Sequence, residues 1–159
     1  MAAPSAPVPD LRVRRILFPT DFSPGAEPAV RWALGLARAF GAELVILHVL
    51  DLSLAGLAGL PTQVAMMPAV DELIERVRAE TAAEMKRLAA RFPDARTIVR
   101  EGSARPTILQ VAGEVDADLI VMGTHGRTGL AHVLFGSVAA HVVRHSRIPV
   151  LTVRETEPQ

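Results

Sequence analysis

Cysteine is absent from this 159-residue chain, which excludes disulfides, zinc–thiolate sites and cysteine nucleophiles. Net charge is absent too, because 17 Lys and Arg balance 17 Asp and Glu. A nucleic-acid binder ordinarily carries a basic patch and a high pI, so no nucleic-acid partner is expected. No run of like charges marks a binding tail. No uninterrupted apolar segment is long enough to span a bilayer. The opening residues, Met1 to Asp10, lack the basic and apolar regions of a secretory signal. These absences lead to the expectation of a soluble cytoplasmic protein without membrane association. The prolines at 4, 7 and 9 make residues 1–12 a disordered lead-in, and residues 155–159 are expected to form a short tail.

What is present is one domain's worth of alternating β and α patterns, long enough to bury a real core. Arg15-Ile16-Leu17-Phe18 is a compact apolar run bounded by Pro19-Thr20-Asp21. A helix follows from about Ala26 to Phe40, with Val30, Ala33, Ala37 and Phe40 on one face, stopped by Gly41. Leu44 to Val49 is nearly all apolar, as expected of a strand covered on both faces. Asp71 to Phe92 has a helical inner stripe of Leu73, Ile74, Val77, Thr81, Met85, Leu88 and Phe92. Glu72/Arg76 and Arg76/Glu80 are spaced as i,i+4 ion pairs. Arg96 to Arg100 is a more polar strand, placed near a sheet edge. A helix over about Pro106–Val115, a strand over Leu119–Met122, a helix over Ser137–His145 and a last strand, Pro149–Val153, complete the pattern. Five strands alternating with four helices imply a doubly wound parallel α/β sheet with helices on both faces. Leu52 to Ala69, with two glycines and two prolines, is a long connection that fits either a mobile lid or a short buried helix over Leu54–Leu60.

The densest chemical signal is Gly123-Thr124-His125-Gly126, with Gly136-Ser137 after it, between the fourth strand and the last helix. Glycines there allow sharp turns and let a ligand approach the main chain. A helix N-terminus presents unpaired N–H groups and partial positive charge, which suit a phosphate. The Ser137 hydroxyl can add one more hydrogen bond. Taken singly, each glycine is equally a turn residue and Gly136-Ser137 a helix N-cap. Together they read as a nucleotide-phosphate cradle. Arg127 is the cation within the loop and can meet an outer phosphate, or be merely solvated. His125 is of a residue type that serves as acid or base near neutral pH, but the sequence pattern assigns it neither a carboxylate nor a nucleophile to work with. His48, His132, His141 and His145 read as structural or surface residues, and no pair has the context of a metal site.

Ile16 to Ser23, with its Pro19-Thr20-Asp21 turn, resembles the first strand and turn of the universal stress proteins. Leu47-His48-Val49 resembles the end of their second strand, and Arg147 to Val153 their terminal strand. Gly123-x2-Gly126-x9-Gly136-Ser137 matches the glycine signature of that family's ATP-binding branch. The resemblance covers about residues 13 to 153, which bounds the expected domain at 13–154. It implies a five-stranded sheet of order 3-2-1-4-5, an ATP pocket and homodimers. In that order the reversal point lies between strands one and four, beyond whose carboxyl ends ligands bind. Carried over by position, the adenosine end meets Pro19, Thr20, Asp21 and Val49. Met122, Gly123, Thr124, His125, Gly126, Arg127 and Gly129 surround the triphosphate, and Gly136, Ser137 and Val138 close it. Asp21 is expected to bond ribose or base, or to close an Asx-type turn, or both.

Catalysis is expected to be slow or absent. The chain has no P-loop lysine motif and no kinase signature, nor the Ser-Gly-Gly-x-Asp-Ser loop of ATP pyrophosphatases. The functional expectation is an ATP-binding sensor or regulator of the stress response that acts on a further protein, with Mg2+ carried by the phosphates. The alternatives are a slow ATP hydrolase or adenylyl-transfer enzyme using the same pocket, and a nucleotide-free structural dimer. The apolar last strand, Val150–Val153, is expected to pair with a second copy.

Overall fold

The near-continuous apolar runs become the middle of a parallel sheet. The computed structural model describes residues 12–52, 66–125 and 135–154. Its strands are β1 (Arg15–Thr20), β2 (Glu43–Leu50), β3 (Arg96–Glu101), β4 (Leu119–Gly123) and β5 (Val150–Val153). They lie side by side, all parallel, in the order β3-β2-β1-β4-β5. Between them run α1 (Glu27–Phe40), α2 (Pro68–Arg91), α3 (Ala104–Glu114) and α4 (Ser137–His145).

Side chains alternate across a strand, so each strand feeds two cores. Ile16, Phe18, Ile46 and Val121 point to one face, where they pack with Ala29, Val30, Ala33 and Ala37 of α1 and Met85 of α2. Leu17, Val45, Leu47 and Ile120 point to the other, against Ile108 and Val111 of α3 and Ala139 and Val142 of α4. Full burial of residues such as Phe18 and Ile46 contributes about 2 kcal/mol each. At the sheet's amino end, Asp118 Oδ2 accepts the N–H groups of Arg14 and Arg15 at 2.7 and 2.9 Å. Arg15 in turn donates from Nε to Glu43 at 2.7 Å. Among the described residues no helix is long and apolar enough to cross a membrane.

Several local expectations change. α2 starts at Pro68 rather than Asp71, because a proline at the first helical position has its φ preset and lacks an N–H that would be unpaired there. α3 starts at Ala104, ahead of Pro106, which falls within the first turn where no intrahelical donor is needed. β5 begins at Val150, after Pro149. Phe40 is 52% exposed instead of buried, since it is the last residue of α1 and the chain turns away at once. Leu73 is also exposed, and the deep contacts of α2 come from Thr81 and Met85. The ion pairs form on Arg78 instead of Arg76. Arg78 reaches Glu75 at 2.6 Å and Glu101 of β3 at 2.7 Å, a tertiary partner that helical spacing could not indicate. Those two carboxylates hold the Arg78 guanidinium above its ordinary pKa. Arg91 joins α2 to α1 through both oxygens of Glu27. The Leu54–Leu60 helix, with the rest of 53–65, lies outside the described residues.

Gly41 ends α1 in the left-handed region at φ 63°, and a Cβ placed there would meet nothing within 4 Å. The cost of a side chain is therefore purely conformational. Gly41→Ala should lower unfolding free energy by about 1 kcal/mol, read from urea denaturation with an unchanged m-value.

Candidate functional site

β1 treats its two neighbours unequally. Its ladder to β2 runs the whole way from Arg15 to Thr20, whereas its ladder to β4 holds only Ile16 and Leu17. Pro19 brings no N–H to a ladder, which disfavours continued pairing inside a sheet. β4 goes on to Gly123, paired there with β5. The carboxyl ends of β1 and β4 thus part, and a crevice opens where strand order reverses.

One lip of the crevice is the turn after β1. Thr20 Oγ1 accepts the Phe22 N–H at 3.1 Å, and Asp21 Oδ1 accepts the Ser23 N–H at 3.0 Å. Asp21 therefore does close an Asx turn. Phe22 is held at φ 61°, a left-handed conformation unusual for a large residue. Its ring stacks on buried His48, with centroids 4.2 Å apart and planes 23° from parallel. His48 Nδ1 lies 2.8 Å from the Thr20 carbonyl oxygen, an acceptor, so this nitrogen carries the proton and donates. Neither Phe22 nor His48 was expected at the site. An aromatic after a turn and a histidine in an apolar strand both look like ordinary core, and only the backbone angle and the stacking reveal their role.

The other lip is the end of β4. Thr124 donates its N–H to the Val153 carbonyl at 3.0 Å, and its own carbonyl accepts from Gly136 N at 2.7 Å. That second bond ties the start of α4 back to the sheet. Thr124 is buried, with Oγ1 2.9 Å from His125 Nδ1. Gly136 is the N-cap of α4 with φ −65° and ψ 158°, an extended conformation, and no side chain caps the helix. Ser137 is exposed in its first turn, so main-chain donors and one hydroxyl face the crevice end of the helix. Val49 and Val138 pack, half-buried, against the same core cluster beneath α3 and α4.

Pro19, Thr20 and Asp21 end the strand beside the one that ends in Gly123, Thr124 and His125, with Gly136, Ser137 and Val138 at the helix start and Val49 on the strand beyond β1. The Met122 side chain is buried in the core beneath α3 and α4, which leaves its main chain as the part that can face a ligand. Gly123 also has a packing task beside the one expected. A Cβ on it would stand 3.3 Å from the Gly25 carbonyl oxygen, so its bareness admits the 3-10 turn Pro24–Ala26 against β4. That turn covers the crevice on the α1 side. Gly126, Arg127 and Gly129 lie outside the described residues.

A cavity of about 120 Å³ opens behind the first turn, between α1 and α2, lined by Phe18, Phe22, Ser23, Val30, Leu88 and the Glu27–Arg91 pair. It lies on the opposite face of the sheet from Val49 and Val138, with Thr20 of the first turn also in its wall. The Ser23 hydroxyl there is buried without a hydrogen-bond partner. Among the described residues no group of three or more His, Asp or Glu is placed to hold a metal ion. His141 and His145 stack at 4.2 Å, and desolvation, followed by the charges of His145, Arg105 and Arg144, keeps His141 below the usual imidazole range.

Comparison with known proteins agrees with this geometry. The family model described as "Universal stress protein family" matches residues 12–154. Universal stress protein MJ0531 of Methanocaldococcus jannaschii is 33% identical over 147 residues, covering 92% of this chain and 85% of that protein. The structure of the universal stress protein UspA from Lactobacillus plantarum superposes with a TM-score of 0.74 at 28% identity, covering 90% of this chain and 99% of that one. A universal stress protein solved in complex with cAMP superposes with a TM-score of 0.57 at 27% identity, covering 91% and 99%. With its sheet order, its parted central strands and this match along nearly its whole length, the chain belongs to the universal stress protein family.

Proposed function

We propose that this chain is an ATP-binding sensor of the cytoplasmic stress response, whose nucleotide state biases its binding to a further protein. The observation that carries the reading is the parting of β1 and β4 beyond Leu17, with the start of α4 tied to Thr124 on the β4 lip. A related protein solved with cAMP supports an adenine nucleotide as ligand. In this reading Pro19, Thr20, Asp21 and Val49 hold the adenosine end, Asp21 using acceptor capacity beyond its turn bond. Gly126, Arg127, Gly129 and the main chain from Gly123 to His125 surround the triphosphate. Gly136, Ser137 and Val138 close it with N–H groups at the positive end of the α4 dipole. Mg2+ arrives with the nucleotide and is held mainly by its phosphates. Phe22 and His48 are positioning residues that lock the Thr20–Asp21 turn.

Calorimetry on ligand-stripped protein tests this directly. ATP should bind in the micromolar range, and a flat titration at millimolar ATP would overturn the reading. Ser137→Ala removes an exposed hydroxyl that makes no capping bond, so it should leave Tm unchanged. It should weaken ATP binding by about fivefold, the worth of one hydrogen bond near 1 kcal/mol. Gly123→Val is unsuitable as a control, because its Cβ would press on Gly25 and disturb the fold itself. ATP turnover followed over days should be very slow or absent, since the P-loop and kinase machinery is missing from the sequence. Turnover of one per minute or faster would favour the hydrolase reading.

The same proposal includes a homodimer through β5. Of the two sheet edges, β3 carries Arg96, Arg100 and Glu101, charges that discourage strand addition. β5 reads Val150-Leu151-Thr152-Val153, uncharged and half-buried, and among the described residues no strand pairs with its outer side. Val150→Glu with Val153→Glu should give a monomer in sedimentation, and an unchanged dimer mass would place the contact elsewhere.

A further inference from the structure

The cavity behind the first turn has no task in the nucleotide reading. Its floor is Phe18, Ala26 and Val30, all buried, and Leu88 of α2 closes one side. At its outer side the Glu27–Arg91 pair joins α1 to α2, with these side chains 38% and 51% exposed, so the mouth faces solvent between the helices. The inner end is the first turn itself, where Phe22 and Ser23 stand in the wall. Protein interiors are packed to crystal density, and voids larger than a water molecule are few in any domain. At about 120 Å³ this one approaches the roughly 150 Å³ of an apolar cavity that admits benzene.

The lining specifies an occupant. Arg91 donates from two nitrogens to Glu27, and Arg87 donates to Glu84, so the charges at the mouth already answer one another. An anion would meet two carboxylates there and a cation two guanidinium groups, which leaves a neutral molecule as the best fit. Among the described side chains, Ser23 Oγ is the buried polar atom without a hydrogen-bond partner. A buried hydroxyl left unpaired carries a desolvation penalty that a hydroxyl on the occupant would relieve. Water alone suits the place poorly, because a buried water ordinarily makes about three hydrogen bonds and this floor is hydrocarbon. What fits is an apolar body of about six heavy atoms carrying a single hydroxyl.

We infer that this cavity is an effector site for a small neutral phenol or alcohol, whose apolar body lies among Phe18, Phe22, Val30 and Leu88 and whose hydroxyl pairs with Ser23 Oγ. Its effect passes through the first turn. Ser23 gives its N–H to Asp21, and Phe22 gives its N–H to Thr20. An occupant held by the Ser23 hydroxyl and the Phe22 ring therefore braces the two side chains proposed above to hold adenosine. It supports Phe22 in its left-handed conformation and so favours the turn as it stands. The coupling rests on the ATP reading, whereas the site itself does not. By linkage, a phenol that tightens ATP binding is tightened by ATP to the same factor.

Phenol is the probe, titrated into the ligand-stripped full chain while amide resonances are followed by NMR. Signals of Phe22, Ser23, Val30 and Leu88 should shift together and saturate with a dissociation constant of about 1 mM or lower. No saturable shift there at roughly tenfold higher phenol leaves the cavity to water and overturns the site. Ser23→Ala removes an unpartnered hydroxyl, so Tm should not fall, while phenol binds about fivefold more weakly and toluene as before. Unchanged phenol affinity, or an equal loss for toluene, overturns the pairing with Ser23. Calorimetry at saturating phenol should then show ATP binding about fivefold tighter. An unchanged ATP constant overturns the coupling, and displacement of phenol by ATP makes cavity and crevice one site and overturns the effector role. A chain that takes up phenol but ignores ATP loses the nucleotide reading and the coupling, and keeps the cavity site.

Discussion

The organising constraint in this molecule is that its central strand pairs fully on one side and only briefly on the other. Beyond Leu17, β1 keeps β2 and releases β4. A parallel sheet with both faces covered has little reason to open in its middle, since unpaired main-chain groups there cost free energy. Pro19 removes one such group, and the polar turns supply partners for others. The crevice is thus built from backbone whose hydrogen bonds have been redirected. Thr20 and Asp21 bond their own turn, and Thr124 reaches across to β5 and α4.

Around that opening the protein spends conformational strain on precision. Phe22 sits in the left-handed region, at a cost on the order of 1 kcal/mol that persists only where surroundings enforce it. Here the enforcement is visible, because the ring lies on His48, and His48 is anchored to the Thr20 carbonyl. On the α1 side the Pro24–Ala26 turn fits against bare Gly123, so the crevice opens toward Val49, Val138 and the start of α4. Function in such a fold resides in these grafted turns, while the sheet supplies only their placement.

Much of this architecture is legible in the amino-acid order alone. Continuous apolar runs separated by helical stripes dictate alternating strands and helices, because each such run must be covered on both faces. Glycine and proline punctuation bounds α1 and points to both lips of the crevice. Less legible are features that depend on what lies opposite. Arg76 and Arg78 sit on the same long helix, and only the approach of β3 brings Glu101 to Arg78. Met122 and Gly123 are adjacent in a signature, yet one is core and the other accommodates a neighbouring turn.

The amino-acid sequence by itself determined the elements, the absence of thiol chemistry and the residues that could greet a phosphate, since these follow from local periodicity, turn propensity and functional groups. Tertiary structure alone decided that the β1–β4 ladder stops at Leu17, that Phe22 and His48 brace the turn, and that Glu101 of β3 meets Arg78 of α2. Those facts concern pairs of groups far apart along the chain, whose meeting is set by packing across the sheet and leaves no mark on the local pattern of either partner.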